Sequence, residues 1–266
     1  MKKINIIIVC CCMMVLASAK SFAQSNEMDS TLRPSRLKML TVSPGFAILD
    51  ASGLNRFLAP GTNGSFGRNY GVLGFQKTSE YKRFIYGATF QGGMSQQTTV
   101  VNYAGVAGLN VDYNGAFGNF LLHGGYSIIS TKRVKFYPMI GAGFGGVSAN
   151  FTNIDNQSIA NFANNPAMSG RVTKSMVCFD ASLSLDLLFP SSRNWEGKSS
   201  TTNFGRVVGI RVGYTQNLGM GDWRLDGARI IENPSYNPGM AYAKLQFGIY
   251  SNRSRRGCHG HGDCRK

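Results

Sequence analysis

Polar and apolar residues alternate with a period of two over eight stretches of this chain, most clearly over Lys174–Phe189. There Val177, Phe179, Ala181, Leu183, Leu185 and Leu187 alternate with Cys178, Asp180, Ser182, Ser184 and Asp186. Successive side chains of a β-strand point to opposite faces, so the spacing predicts a strand with one apolar and one polar face. A helix would mix the two sets around its circumference. The other seven expected strands are Lys38–Leu49, Arg68–Thr78, Lys82 to beyond Met94, Gly115–Ile129, Val134–Ala149, Phe204–Asn217 and Met240–Tyr250. In the fifth of the eight, Gly141, Gly143, Gly145 and Gly146 would leave room inside a crowded, narrow cylinder.

The connections add a second regularity. Only Ser79-Glu80-Tyr81 follows the second stretch and only Ser130-Thr131-Lys132-Arg133 the fourth, both hairpin lengths. The links Asp50–Gly67, Ala149–Gly170 and Leu218–Gly239 are longer and rich in Asn, Gly, Ser and Thr. Gln96–Asn114 reads as an extended hairpin tip. The one departure is Pro190–Asn203, a long link where a short one is expected. An even strand count with short turns at one end and long loops at the other predicts an all-β, eight-stranded antiparallel up-and-down transmembrane β-barrel. Its apolar faces would meet lipid and its polar faces line the lumen. A soluble eight-stranded sandwich also alternates, with the apolar faces turned inward. Tyr70, Tyr81, Tyr126, Phe136, Tyr137, Phe189, Phe204, Tyr214 and Tyr250 gather near strand ends, which suits interfacial aromatic belts.

The N-terminus sets the compartment. Lys2 and Lys3 precede an apolar run, Ile4 to Ala19, and Ser21-Phe22-Ala23 offers small residues at both positions a signal peptidase reads. Residues 1–23 are therefore expected to be a signal peptide; the run is short for a membrane anchor. Val9 before Cys10 argues against a lipoprotein. Cleavage removes three lysines, lowering the formal charge from +15 to +12, and leaves Cys178, Cys258 and Cys264, which is no disulfide framework. No later run of about 18 apolar residues exists, which excludes a helical membrane protein. The basic balance suits anionic headgroups or polysaccharide, and no nucleic-acid motif stands out. Residues 24–36 read as a flexible lead-in, 37–250 as the barrel and 251–266 as a basic tail.

The glycine–aromatic strands VVGIRVGYTQNLG and AYAKLQFGIY, with the architecture over roughly residues 37–250, resemble the small outer-membrane β-barrels of Gram-negative bacteria, of the outer-membrane-protein-A-like and porin-like kind. The resemblance implies a monomer in the cell outer membrane, contacting lipid and lipopolysaccharide and inserted by the barrel assembly machinery. That family ends on a terminal aromatic. Here sixteen residues follow Tyr250, so an assembly signal would be internal.

Candidate chemistry is sparse. Asp180, Asp186, Arg211, Lys244, His123 and Gln76 fall on lumen-facing positions. Eight strands enclose a space that side chains fill, so opposite charges there should pair. Asp180 or Asp186 is expected to meet Arg211 or Lys244. As a catalytic pair the two aspartates are too far apart, about 20 Å along one strand. His123, with Ser127 on the same face, is expected to fill the lumen rather than serve a triad. The tail places Cys258, His259, His261, Asp263 and Cys264 within seven residues. Disorder, a Cys258–Cys264 disulfide and soft-metal binding by Cys258, His259, His261 and Cys264 all remain open. The expectation is a non-enzymatic barrel without cofactor, giving structural support, surface recognition or a very narrow pore. A membrane enzyme acting on lipid or peptide, or a component of a surface assembly relying on the 218–239 loop and Trp223, are the alternatives.

Overall fold

The computed structural model describes residues 36–50, 52, 53, 55, 66–103, 106–153, 169–197, 200–229 and 238–255. The expected signal peptide, most of the lead-in and Cys258, His259, His261, Asp263 and Cys264 lie outside them. Eight long strands form one antiparallel sheet: β1 (Arg36–Leu49), β2 (Asn69–Tyr81), β3 (Phe84–Tyr103), β4 (Val106–Tyr126), β5 (Val134–Asn153), β6 (Ser169–Gly197), β7 (Ser200–Gly219) and β8 (Gly239–Arg255). Each pairs with the next, and β8 pairs back onto β1 from Arg36↔Arg253 to Leu49↔Met240. One closed cylinder results, which rules out the two-sheet sandwich and leaves no open edge along these strands.

The strand phase decides which face meets what. On β1 the burial alternates at nearly every position, with Leu40, Val42, Phe46 and Ile48 outward. Phe46 is 77% exposed and Ile140 73%, values that no water-soluble fold sustains over a whole surface. With about 3.3 Å per residue and a tilt near 40°, the outward apolar runs span about 20 Å on β1 and about 30 Å on β6, which brackets a membrane's apolar band. The lumen-facing partners are polar in the middle of the barrel and apolar at both ends. Leu37, Met39, Ile85, Tyr137, Met139, Leu188, Val207 and Tyr250 pack together at the short-turn end. Ala47, Leu49, Tyr70, Val72, Phe117, Val147, Met176, Met240 and Tyr242 do so toward the long-loop end. By the usual orientation of such barrels the short turns face the periplasm.

Several boundaries differ from the sequence reading, each for a local reason. β2 continues through Tyr81, and the turn is Lys82-Arg83, with φ of 49° and 69°. Two left-handed residues make the tight turn whose twist matches a hairpin, although neither is glycine. Glu80, expected in that turn, instead points into the lumen, where Lys135 donates to it. The departure at Pro190–Asn203 disappears. β6 and β7 continue past the rim as a hairpin, with a register shift between Pro190 and Asn194 and pairing out to Gly197↔Ser200. The basic tail likewise begins later than expected, because β8 runs on to Arg255, opposite Ser200. At the other end β3 and β4 pair from Phe84↔Tyr126 out to Tyr103↔Val106, the extended hairpin anticipated over 96–114.

Tyr70, Tyr137 and Tyr250 are not belt residues. They share lumen parity with Val72, Met139 and Gln246, and are 1%, 1% and 6% exposed. Being near a strand end sets their height; parity sets their side. Of the glycines in β5, Gly141, Gly143 and Gly145 face the lumen and Gly146 faces out. A Cβ on Gly143 would collide with the Phe120 carbonyl oxygen, so the β4–β5 approach requires glycine there.

Candidate functional site

In the polar middle of the lumen, buried charged side chains from several strands converge. Its centre is Arg211 on β7, fully buried. Directly opposite it across the β6–β7 ladder is Ser184, and Asp180 lies four residues further along β6. The guanidinium leans along the strand to reach it. Arg211 Nη2 donates to Asp180 Oδ2 at 3.0 Å, Nη1 to Gln76 Oε1 at 2.8 Å and Nε to Ser182 Oγ at 3.1 Å. Three oxygens from β2 and β6 thus occupy three of its five donors.

Asp180 is held from the other side. Its Oδ1 accepts from Thr215 Oγ1 at 2.9 Å and from the Tyr242 hydroxyl at 2.8 Å. Tyr242 crosses from β8 over Gly213, where a Cβ would come within 2.6 Å of the phenol oxygen. Glycine at that position is what lets the phenol pass. The Asp180–Arg211 pair has side-chain exposures of 0% and 1% and is thus shielded from screening. Gln246 Nε2 donates to Gln76 Oε1 at 3.1 Å, and Gln76 Nε2 to Thr78 Oγ1 at 2.7 Å, tying β8 and β2 into the same network.

The remaining candidates are arranged around this pair. Lys244 does not meet a carboxylate: it donates to Gln91 Oε1 across the lumen and lies 4.3 Å from the centroid of the Tyr242 ring. Asp186 sits nearer the periplasmic end and accepts from the Tyr137 hydroxyl at 2.5 Å. His123 Nε2 and Thr89 Oγ1 are 2.6 Å apart, and Ser127 donates to the Ile129 carbonyl, so no hydroxyl–imidazole–carboxylate relay forms between His123 and Ser127. A second ion pair, Lys135 with Glu80, closes the lumen below, with Ser130 bonded to both. No three His, Cys, Asp or Glu side chains converge among the described residues.

Sequence parity places Gln76, His123, Asp180, Asp186, Arg211 and Lys244 on the inner face, and all are buried there. It does not supply partners. By sequence alone Tyr137 belongs to the belt and Glu80 to a turn, and Thr215, Ser182 and Tyr242 carry no signal beyond their phase. Trp223 is also corrected. It is fully buried, packing with Phe66, Tyr113, Ala149 and Val172 above the barrel, and Lys174 lies 5.2 Å from its ring. A small hairpin, Arg224–Leu225 paired with Ala228–Arg229, follows it and is hydrogen-bonded to β6 through Val172↔Leu225. Its turn, Asp226-Gly227, has φ of 50° and 89°. The Asp-Gly dipeptide in the sequence was the available signal for that hairpin.

No protein-family model matches the chain, and no curated protein matches it. Among solved structures, the attachment invasion locus protein Ail of Yersinia pestis aligns over 82% of this chain and 99% of its own at 10% identity, with a TM-score of 0.38. A major outer membrane protein of Thermus thermophilus aligns over 83% and 100% at 11% identity and 0.37. The outer membrane protein OprG of Pseudomonas aeruginosa aligns over 84% and 96% at 11% and 0.32. At these scores the assignment rests on the molecule itself. A closed eight-stranded cylinder with an apolar outer wall and a polar, filled interior is a transmembrane β-barrel of the outer-membrane type.

Proposed function

We propose that this is a non-enzymatic outer-membrane barrel whose lumen is a strut and whose recognition work is done by its extracellular rim. The observation that supports this reading is the stacking of the interior. An apolar layer at the periplasmic end, the Arg211–Asp180 network and an apolar layer toward the outside follow one another along the axis. Trp223 and Phe66 pack above them. Side chains tied to several strands at once make a poor conduit and a good brace. From Met94 to Tyr103 β3 runs on for about 30 Å along the strand, paired with β4, and so lifts an extended hairpin above the band.

Reconstitution in planar bilayers tests the strut. The wild-type barrel is expected to show no discrete openings. Stable single-channel conductance from the folded protein would overturn the reading in favour of a pore. The pairing of His123 Nε2 with Thr89 Oγ1, and of Ser127 with the Ile129 carbonyl, engages both groups in the packing of the lumen and supports the non-enzymatic part of the proposal. Turnover of a phospholipid or peptide by the purified barrel, abolished by His123→Ala with the fold retained, would refute that part.

A further inference from the structure

The outer wall is not uniformly apolar. On the periplasmic part of β1 and β2 the outward positions are Arg36, Lys38, Lys77 and the belt residue Tyr81, with Lys82 in the turn below; all are exposed. The register sets them side by side: Arg36↔Tyr81, Lys38↔Ser79 and Leu40↔Lys77. Lys38 and Lys77 are thus diagonal cross-strand neighbours on one face, about 7–8 Å apart. The Arg36 guanidinium carbon lies 5.5 Å from the centroid of the Tyr81 ring, and Lys82 Nζ lies 5.5 Å from it as well. On the same register row as Leu40 and Ile249, Arg206 of β7 adds an outward cation two strands away.

Among the described residues of β1, β2, β7 and β8, nothing acidic balances this face. The sequences of β1, β7 and β8 contain no Asp or Glu, and Glu80 of β2 turns inward to Lys135. Like charges this close repel one another unless an anion lies between them. Lys77 sits four residues above Tyr81, about 10 Å higher along the membrane normal, within reach of the headgroup layer by snorkelling. An aromatic ring flanked by two cations marks that layer.

We infer that the periplasmic end of the β1–β2 wall is a binding site for an anionic phospholipid of the inner leaflet, whose phosphate is held by Arg36, Lys38, Lys77 and Lys82 beside Tyr81. The inference rests on the membrane-spanning orientation and is independent of whether the lumen conducts. Phosphatidylglycerol fits because its net negative charge answers an excess of positive charge that zwitterionic lipid does not relieve. Lipopolysaccharide, confined to the opposite leaflet, presents its phosphates at the other rim.

Native mass spectrometry of the folded full chain, titrated with phosphatidylglycerol or phosphatidylethanolamine, tests it. The wild type is expected to retain phosphatidylglycerol preferentially, and Lys38→Gln/Lys77→Gln to lower that retention at least about fivefold. Lys38→Arg/Lys77→Arg should preserve it, as should Arg224→Gln/Arg229→Gln at the far rim. Heat-modifiable electrophoretic mobility verifies that each variant is folded; should the glutamine double fail to fold, Lys77→Gln alone is read instead. Equal retention of the two lipids, or no loss in the glutamine variants, overturns the site. So does displacement of the lipid by equimolar inorganic phosphate, which would make the ligand a free anion. Preferential retention of lipopolysaccharide or of a hexaglutamate peptide through the same lysines would likewise assign the surface elsewhere.

Discussion

Replacing Asp180 by alanine would leave Arg211 charged and enclosed, facing Gln76 and Ser182 but no anion. The side chains of the pair are 0% and 1% exposed, so water cannot easily take the place of the carboxylate. Removing one partner of a buried pair costs about 3–5 kcal/mol, because the remaining charge is uncompensated. Thr215 and Tyr242 lose their acceptor too, but these losses belong to the same cavity and are not added separately. With a urea slope of about 2 kcal/mol per M, the denaturation midpoint should fall by about 2 M. The assay is reversible unfolding of the barrel in lipid vesicles, followed by tryptophan fluorescence. The double variant Asp180→Ala/Arg211→Met supplies the decisive comparison. Once the charge is gone as well, no uncompensated ion is left between Gln76 and Ser182, and the double should be more stable than the Asp180→Ala single. A loss below about 1 kcal/mol in the single, or strict additivity in the double, would refute the claim that the pair is dry and coupled.

Two further outcomes follow from the wall and the close approaches. Gly143→Ala should destabilise the barrel by more than about 2 kcal/mol, since the new Cβ meets the Phe120 carbonyl, whereas Gly71→Ala, with nothing within 4 Å, should stay within about 0.5 kcal/mol; equal unfolding midpoints for the two would contradict the packing. Leu183→Arg places a charge at the centre of the outward apolar run of β6 and should cost about 2–4 kcal/mol in vesicle unfolding. A neutral result would mean that this wall does not face hydrocarbon.

Much of the fold was legible because a strand has a period of two, and the same period separates lipid from lumen. Lys174–Phe189 shows this well: every outward leucine and every inward aspartate or serine follows from parity alone. The turn at Lys82-Arg83 was not legible because neither residue carries the usual glycine or asparagine signal. The rim hairpin of β6 and β7 was hidden because Pro190 and a register shift interrupt the alternation. In the site, parity gave the face of Asp180, Arg211, Lys244 and His123 but was silent about reach. By parity Lys244 was as good a partner for an aspartate as Arg211, and the structure gives it to Gln91.

What the sequence determined by itself is therefore the class and the sidedness: eight two-faced strands, an apolar wall, and a polar set with nowhere to go but a shared interior. These follow from local stereochemistry and from the cost of leaving backbone or charge in hydrocarbon. Only closure of β8 onto β1 decided the rest. Closure fixes the stagger of every strand against its neighbours, and the stagger determines which inward side chains lie at one height. That is why Asp180 meets Arg211 and Thr215 from β7 and Tyr242 from β8, and why Asp186, on the same face of the same strand, meets Tyr137 instead.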